Sequence, residues 1–186
     1  MSVTSAKTGS TSLSLALENN FMEPIASTLV GAGGVNIVIF NDIPQTYKHL
    51  QIRYNARNAA ATDTVLARFN SDSGTNYAWH SLRGTGTATQ AVGTSSQTRM
   101  EMPFNSYSGT TANAFGVAVI DILDYANTNK NKTLRALGGA DLNGSGYLFF
   151  ESGLWMNTAA ITTFEIYPES GNFAQYSRFS LYGIKG

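Results

Sequence analysis

The chain has 186 residues, equal numbers of acidic and basic side chains (12 each), and charged residues at only 13% of its positions. This length is enough for one hydrophobic core, so we expect a single domain. The net charge is zero and the sequence supplies no basic stripe of the kind on which nucleic-acid binding depends, so we expect no nucleic-acid partner. The absence of cysteine excludes disulfides, thiolate metal sites and cysteine nucleophiles. No apolar run of membrane-spanning length and no signal-peptide pattern occurs, so we expect neither a membrane partner nor secretion.

The first 20 residues are rich in serine and threonine and carry few side chains that could be buried. Three leucines alternate with small residues at Leu13, Leu15 and Leu17. One interpretation is a frayed terminus. The other is an extended arm whose leucines contact a neighbouring subunit or a shell, and these three residues are the candidate subunit or shell contacts.

Alternating apolar residues begin at residue 21. The runs at residues 25–29 and 35–39 flank a glycine-rich turn and predict a hairpin. Residues 49–57 alternate most regularly, which is typical of a strand with one face in the core and one in water.

The middle of the chain contains two features of interest. Residues 84–98 are rich in Gly, Thr, Ser and Gln, and predict a long loop of the kind that often forms a contact surface. Residues 115–123 are almost wholly apolar, which predicts a central strand that is buried on both faces.

The chain closes with two strand-like runs, residues 160–167 and 177–184, around a turn that contains Pro168 and Gly171. In all, about eleven such runs occur, without any helical period. We therefore predict an all-β fold: an antiparallel two-sheet β-sandwich of jelly-roll type, with residues 1–20 as the extended N-terminal arm and residues 21–186 as one β-sandwich domain.

Catalytic chemistry has little support in the sequence. The two histidines, His49 and His80, both lie within strand-like runs, and no metal-ligand spacing, nucleophile elbow or phosphate-binding loop occurs. Asn70 and Asp72 resemble the start of a calcium loop, but later positions lack the required glycine and glutamate. Acidic residues stand on or beside strands, with no signal that pairs any two of them at the separation that glycoside hydrolysis needs. We expect no enzyme activity and no catalytic, cofactor or metal site.

Aromatic residues leave two interpretations open. Tyr77, Trp79 and Tyr107 form a candidate glycan or contact site, because exposed rings can stack on sugars. The same residues could instead fill the core or its edge, since tyrosine and tryptophan bury much area and still present one polar group.

Several segments resemble a pattern found in virion structural proteins of tailed bacteriophages. They are FMEPIA (21–26), IPQTYKHLQIR (43–53), FNSDSGTNY (69–77), ILDYANTNKNKT (122–133), GNF (171–173) and SLYGI (180–184). These segments are turns and strands rather than catalytic signatures, and together they extend over nearly everything after residue 20.

The resemblance implies a non-enzymatic β-sandwich, commonly a homotrimer, on a phage particle that is assembled in the host cytoplasm. Such domains occur as tail-fibre tips, which touch host glycans, and as decoration proteins, which clamp neighbouring capsid subunits. No fibre shaft precedes the domain in this sequence, so we expect the decoration (cement) role, with the major capsid protein or another virion protein as partner. A receptor-binding tail module that recognises a host glycan is the alternative.

Overall fold

The alternating residues form strands throughout residues 21–186, which are the part of the chain that the computed structural model describes. This part contains two β-sheets and no helix. Its strands are β1 (Met22–Leu29), β2 (Val38–Phe40), β3 (His49–Asn58), β4 (Val65–Phe69), β5 (Tyr77–Gly84), β6 (Thr89–Gln97), β7 (Met100–Met102), β8 (Ser106–Tyr107), β9 (Gly116–Leu123), β10 (Lys132–Asp141), β11 (Gly146–Trp155), β12 (Phe164–Pro168) and β13 (Arg178–Ile184). The predicted arm, with Leu13, Leu15 and Leu17, lies outside the described residues.

The two sheets differ greatly in width. The large sheet has the order β1-β13-β3-β9-β10-β11-β5-β6, and the small sheet has the order β2-β12-β4-β7. Pairing along both paths is antiparallel, and β8 adds a two-residue parallel pairing to β3. The predicted all-β, antiparallel, two-sheet sandwich is therefore confirmed.

The core lies between the facing surfaces of the two sheets. Period-two alternation sends Leu50, Ile52 and Tyr54 of β3 into it, and the same alternation sends Val65, Ala67 and Phe69 inward from β4. The predicted one-sided burial of residues 49–57 is what β3 shows, with Arg53 and Asn55 exposed between buried neighbours.

The hairpin predicted from residues 25–29 and 35–39 is wrong. Strand β1 pairs with β13 in the large sheet, whereas β2 pairs with β12 in the small one. The glycine-rich turn carries the chain from one sheet to the other, and Gly34, with a φ of 67°, has a backbone approach to Phe173 that leaves no room for a Cβ. Local alternation cannot distinguish a hairpin from a crossing between sheets.

The long loop predicted at residues 84–98 is also wrong, because most of it is strand β6, paired with β5 across the short turn at residues 85–88. This strand forms one edge of the large sheet, and all its residues are exposed or half-buried. Small polar residues can occupy both faces of β6 because neither face packs against the core. Threonine, which is frequent in this segment, also favours strands.

The prediction that residues 115–123 form a strand buried on both faces is wrong. Strand β9 is central in the large sheet, yet Val117, Val119 and Leu123 are exposed. The small sheet covers only the inner face of β9, so its alternate apolar residues face outward without a covering layer.

Candidate functional site

The outer face of the large sheet, the side away from the small sheet, carries an uncovered group of apolar side chains. We call this group the apolar patch. Its six members are between 39% and 63% exposed. They are Leu82, Val117, Val119, Leu137, Leu148 and Phe150.

Strand register brings these six residues together. Leu137 lies opposite Val119 on one side and Phe150 on the other, and Phe150 lies opposite Leu82. These four residues form one row across β9, β10, β11 and β5. A second row runs from Val117 over Gly139 to Leu148.

Grooves flank the ridge that Leu137 and Phe150 form. A groove of about 590 Å³ lies over Gly139, between the valines of β9 and Leu148. A second, of about 520 Å³, lies over Gly93, between Phe150 and Ala91. A third, of about 400 Å³, adjoins Val119 and Arg135. Gly139 carries no side chain and lies against the Tyr147 carbonyl, and the His80 ring packs over Gly93 and forms one wall of the second groove. The face therefore alternates between ridge and groove.

A hydrogen-bonded polar row borders the patch. The Arg53 Nε donates to the Gln51 Oε1 at 2.8 Å, and the Gln51 Nε2 donates to the Asp121 Oδ1 at 2.8 Å. Arg135 closes the row by donating to the Asp121 Oδ2 at 3.2 Å. These side chains hold one another in the plane of the sheet, so the patch has a fixed, polar rim.

The exposed apolar area of the patch is roughly 500 Å², near the upper end of what a monomeric protein usually shows. Such an area with a polar rim is typical of a surface that binds another protein. The six patch side chains offer no nucleophile, acid or base, so the chemistry available to them is burial against a partner.

A buried carboxyl group lies on the opposite, inner face of the large sheet. Glu151 is 1% exposed and its Oε1 has no hydrogen-bond partner within the described residues. Burial, together with repulsion from Glu101, raises the pKa of Glu151 to about 9. Glu101 itself forms an ion pair with Arg83, yet burial raises the pKa of Glu101 as well. Glu151 is therefore a neutral acid at physiological pH.

The aromatic residues predicted to touch a glycan do not form a platform. Tyr77 is fully buried, and its hydroxyl accepts a hydrogen bond from the Phe69 N–H at 3.1 Å, so its assignment to a contact loop is wrong. Trp79 is half-buried, with the Arg83 guanidinium 5.6 Å from the centre of its ring. Tyr107 belongs to β8, beside β3, and three strands of the large sheet separate β3 from β5. Tyr77 is buried because its inward-facing position on β5 is covered by Phe69 and Trp155.

The remaining candidate ligands have structural partners. The Asp72 carboxylate accepts hydrogen bonds from the Gly74 N–H and the Trp155 Nε1, which closes the turn between β4 and β5. Burial opposes ionisation of Asp72, but these donors and Asn76 hold the pKa of this carboxyl below its usual value. The His49 Nδ1 accepts a hydrogen bond from the Asp124 N–H at 3.0 Å, and His80 is exposed on the outer face. Residues 21–186 contain no group of three or more side chains arranged to hold a metal ion.

Sequence reasoning missed the apolar patch, although a signal was present. Leu148, Phe149 and Phe150 are consecutive, and residues 115–123 are apolar at both parities. A strand with apolar residues at both odd and even positions needs a packed layer on each of its faces. In the structure only the inner face has such a layer.

Comparison with known proteins adds little. No protein-family model and no curated protein matches the chain. Among solved structures, a protein of unknown function from Shewanella oneidensis MR-1 is similar at 8% identity and a TM-score of 0.23, with 98% of this chain and 97% of that chain covered. The galectin LEC-6 of Caenorhabditis elegans is similar at 9% identity and a TM-score of 0.25, with 86% of this chain and 96% of that chain covered. Both TM-scores are too low to support an argument about function. Separately, the described residues contain no helix long and apolar enough to cross a membrane.

Proposed function

We propose that the protein is a non-enzymatic structural component of a bacteriophage particle, an oligomeric decoration (cement) protein that stabilises a shell. The apolar patch is the observation that carries this proposal. It gives the domain a surface of roughly 500 Å² that water solvates poorly and that another protein surface can cover. The sequence resemblance to phage virion proteins supports the location.

Cement proteins work by burying area across subunit boundaries, so that expansion of the shell must break several contacts together. A rigid sheet suits this role, because its hydrogen-bonded strands keep the six patch residues in fixed positions. The zero net charge also suits crowded packing, since neighbouring copies repel one another little.

The test is occupancy on particles. Particles purified from the phage that encodes the chain should contain the protein at a fixed number of copies, as measured by quantitative mass spectrometry. A Leu137→Glu variant should lose occupancy, because it places a charge in the patch. A variant lacking residues 2–20 separately tests the predicted arm and should also lose occupancy. Absence of the wild-type protein from purified particles would contradict the proposal.

Recognition of a host glycan by a tail module is the second candidate. The polar row favours it, because Gln51, Asp121 and Arg135 place an amide, a carboxylate and a guanidinium beside open grooves, and these groups bind sugar hydroxyls. A glycan array separates the two functions. Saturable binding to one saccharide, weakened by Asp121→Asn, would favour the tail module, whereas cement should show no dependence on saccharides.

A further inference from the structure

The apolar patch has no cover within residues 21–186, so its occupant must be identified from its shape and charges. Beside the patch the outer face carries Arg53 and Arg135, which are positive, and Asp121 and Asp141, which are negative. Arg57 at the end of β3 and Arg178 on β13 add two positive charges at the margin of the face. The four charges beside the patch sum to zero, so this part of the face does not repel an identical one.

The ridges and grooves of this face also fit those of an identical face. The ridge of Leu137 and Phe150 lies between the grooves over Gly139 and Gly93. When two such faces meet about a two-fold axis, the ridge of each copy can lie in a groove of the other, as side chains do when two sheets pack.

The available area is sufficient for a stable pair. Eight strands at about 4.8 Å spacing, each about eight residues long, give a face of roughly 1,000 Å². A standard protein–protein interface buries about 800 Å² on each partner. A pair that used the six strands from β3 to β6, about three-quarters of this face, would bury the whole patch and leave β1 and β13 uncovered. The polar row would lie at the rim of the contact, which is the usual anatomy of an interface.

From this geometry we infer that the outer face of the large sheet is a self-association surface, and that its occupant is the outer face of a second copy of this chain. This inference rests on the proposed assembly function and assigns the patch to the contact between two copies of the cement protein. The pair would then contact the shell through its other surfaces. Two faces covered in one contact leave no patch for a third copy, so the geometry favours a two-fold pair over the homotrimer that the sequence resemblance implies.

The test is the mass of the full chain in solution, measured by sedimentation equilibrium over a range of concentrations. We expect association to twice the 19.9 kDa of one chain. Leu137→Glu should raise the dissociation constant of the pair at least about 30-fold, because it buries a charge at the centre of the contact. Leu29→Glu is the matched control, because Leu29 is as exposed as Leu137 (56% and 55%) but lies on the edge strand β1, four strands from β10 and outside the contact. This variant should leave the constant unchanged.

A second measurement does not depend on the effect of an added charge. The chain has no cysteine, so single-cysteine variants report unambiguously on proximity. In the pair, a short bismaleimide should cross-link two Leu137→Cys chains, because facing sheets lie about 10 Å apart, and it should not cross-link two Leu29→Cys chains.

Three outcomes would overturn the inference: a single-chain mass at all concentrations, a three-chain mass, or equal effects of the two glutamate variants. Association that appears only after residues 2–20 are removed would also overturn it, because the chain's own arm would then be the occupant. The two proposals fail separately. A lone protomer that still decorates particles would overturn the pairing and support the cement function, whereas a stable pair that is absent from particles would contradict the cement function and support the pairing.

Discussion

Glu151 makes the stability of the sandwich depend on pH. The side chain is 1% exposed on β11, and the ionisable groups around it are Glu101, Arg83 and Tyr54. In the folded chain its pKa is about 9, against 4.5 for an unperturbed glutamate. Below pH 4.5 both the folded and the unfolded chain hold the proton, and burial carries no ionisation penalty. As the pH rises from 4.5 to about 9, only the unfolded chain releases the proton, so the free energy of unfolding falls.

The size of the effect follows from the same linkage. Each pH unit within this window lowers the free energy of unfolding by about 1.4 kcal/mol, which amounts to about 4 kcal/mol between pH 5 and pH 8. Glu151→Gln keeps the shape of the neutral acid and cannot ionise. The variant should therefore match the wild type closely at pH 5 and be about 4 kcal/mol more stable at pH 8.

Urea unfolding, followed by tryptophan fluorescence at several pH values, measures this difference. Glu169→Gln is the control, because Glu169 is exposed, and its curve should run parallel to that of the wild type. If the stability difference between Glu151→Gln and the wild type stayed constant from pH 5 to pH 8, the assignment of Glu151 as a buried neutral acid would be refuted.

Two further predictions concern the core and a close contact. Trp155→Ala should lower the free energy of unfolding by about 3–5 kcal/mol, because Trp155 is 1% exposed and the centre of its ring lies 5.5 Å from that of Phe69. Urea unfolding measures this loss, and a loss below about 1 kcal/mol would place the ring outside the core. Gly183→Ala should lower the free energy of unfolding by about 1–3 kcal/mol, because a Cβ there would overlap the Tyr47 ring, whose hydroxyl donates to Glu23. Gly84→Ala, where no atom lies within 4 Å of the added carbon, is the control and should change the urea midpoint little.

The sequence predicted the fold class and the inner faces of individual strands, because side-chain alternation is a local property. Residues 49–57 and 177–184 show this, since β3 and β13 both follow the predicted runs, and Leu50, Ile52 and Leu181 are buried as alternation requires. The turn between β4 and β5 also has a local cause, because the Asp72 carboxylate accepts a hydrogen bond from the Gly74 N–H, two residues later.

What failed depended on residues far away in the chain. Whether Val119 is buried depends on whether a second layer covers the outer face of the large sheet, and the small sheet lies on the inner face. Lys132 is a charged residue among polar neighbours, yet it is 1% exposed. Its Nζ donates to the carbonyls of Asn127, Lys130 and Thr158, and no local pattern in the sequence shows these partners. Tyr77 is a candidate glycan contact because an exposed ring can stack on a sugar, but the alternative, a core position, is the one that the structure shows. Backbone groups of the neighbouring turn satisfy its hydroxyl.

The central claim is that the apolar patch is covered by protein in the assembled state. Thiol labelling tests it directly, because Leu137 and Leu29 are almost equally exposed in the single chain. At concentrations where the protein assembles, a maleimide should label Leu137→Cys much more slowly than Leu29→Cys, and the two rates should become equal in urea. Equal rates in the native assembled protein would contradict the claim.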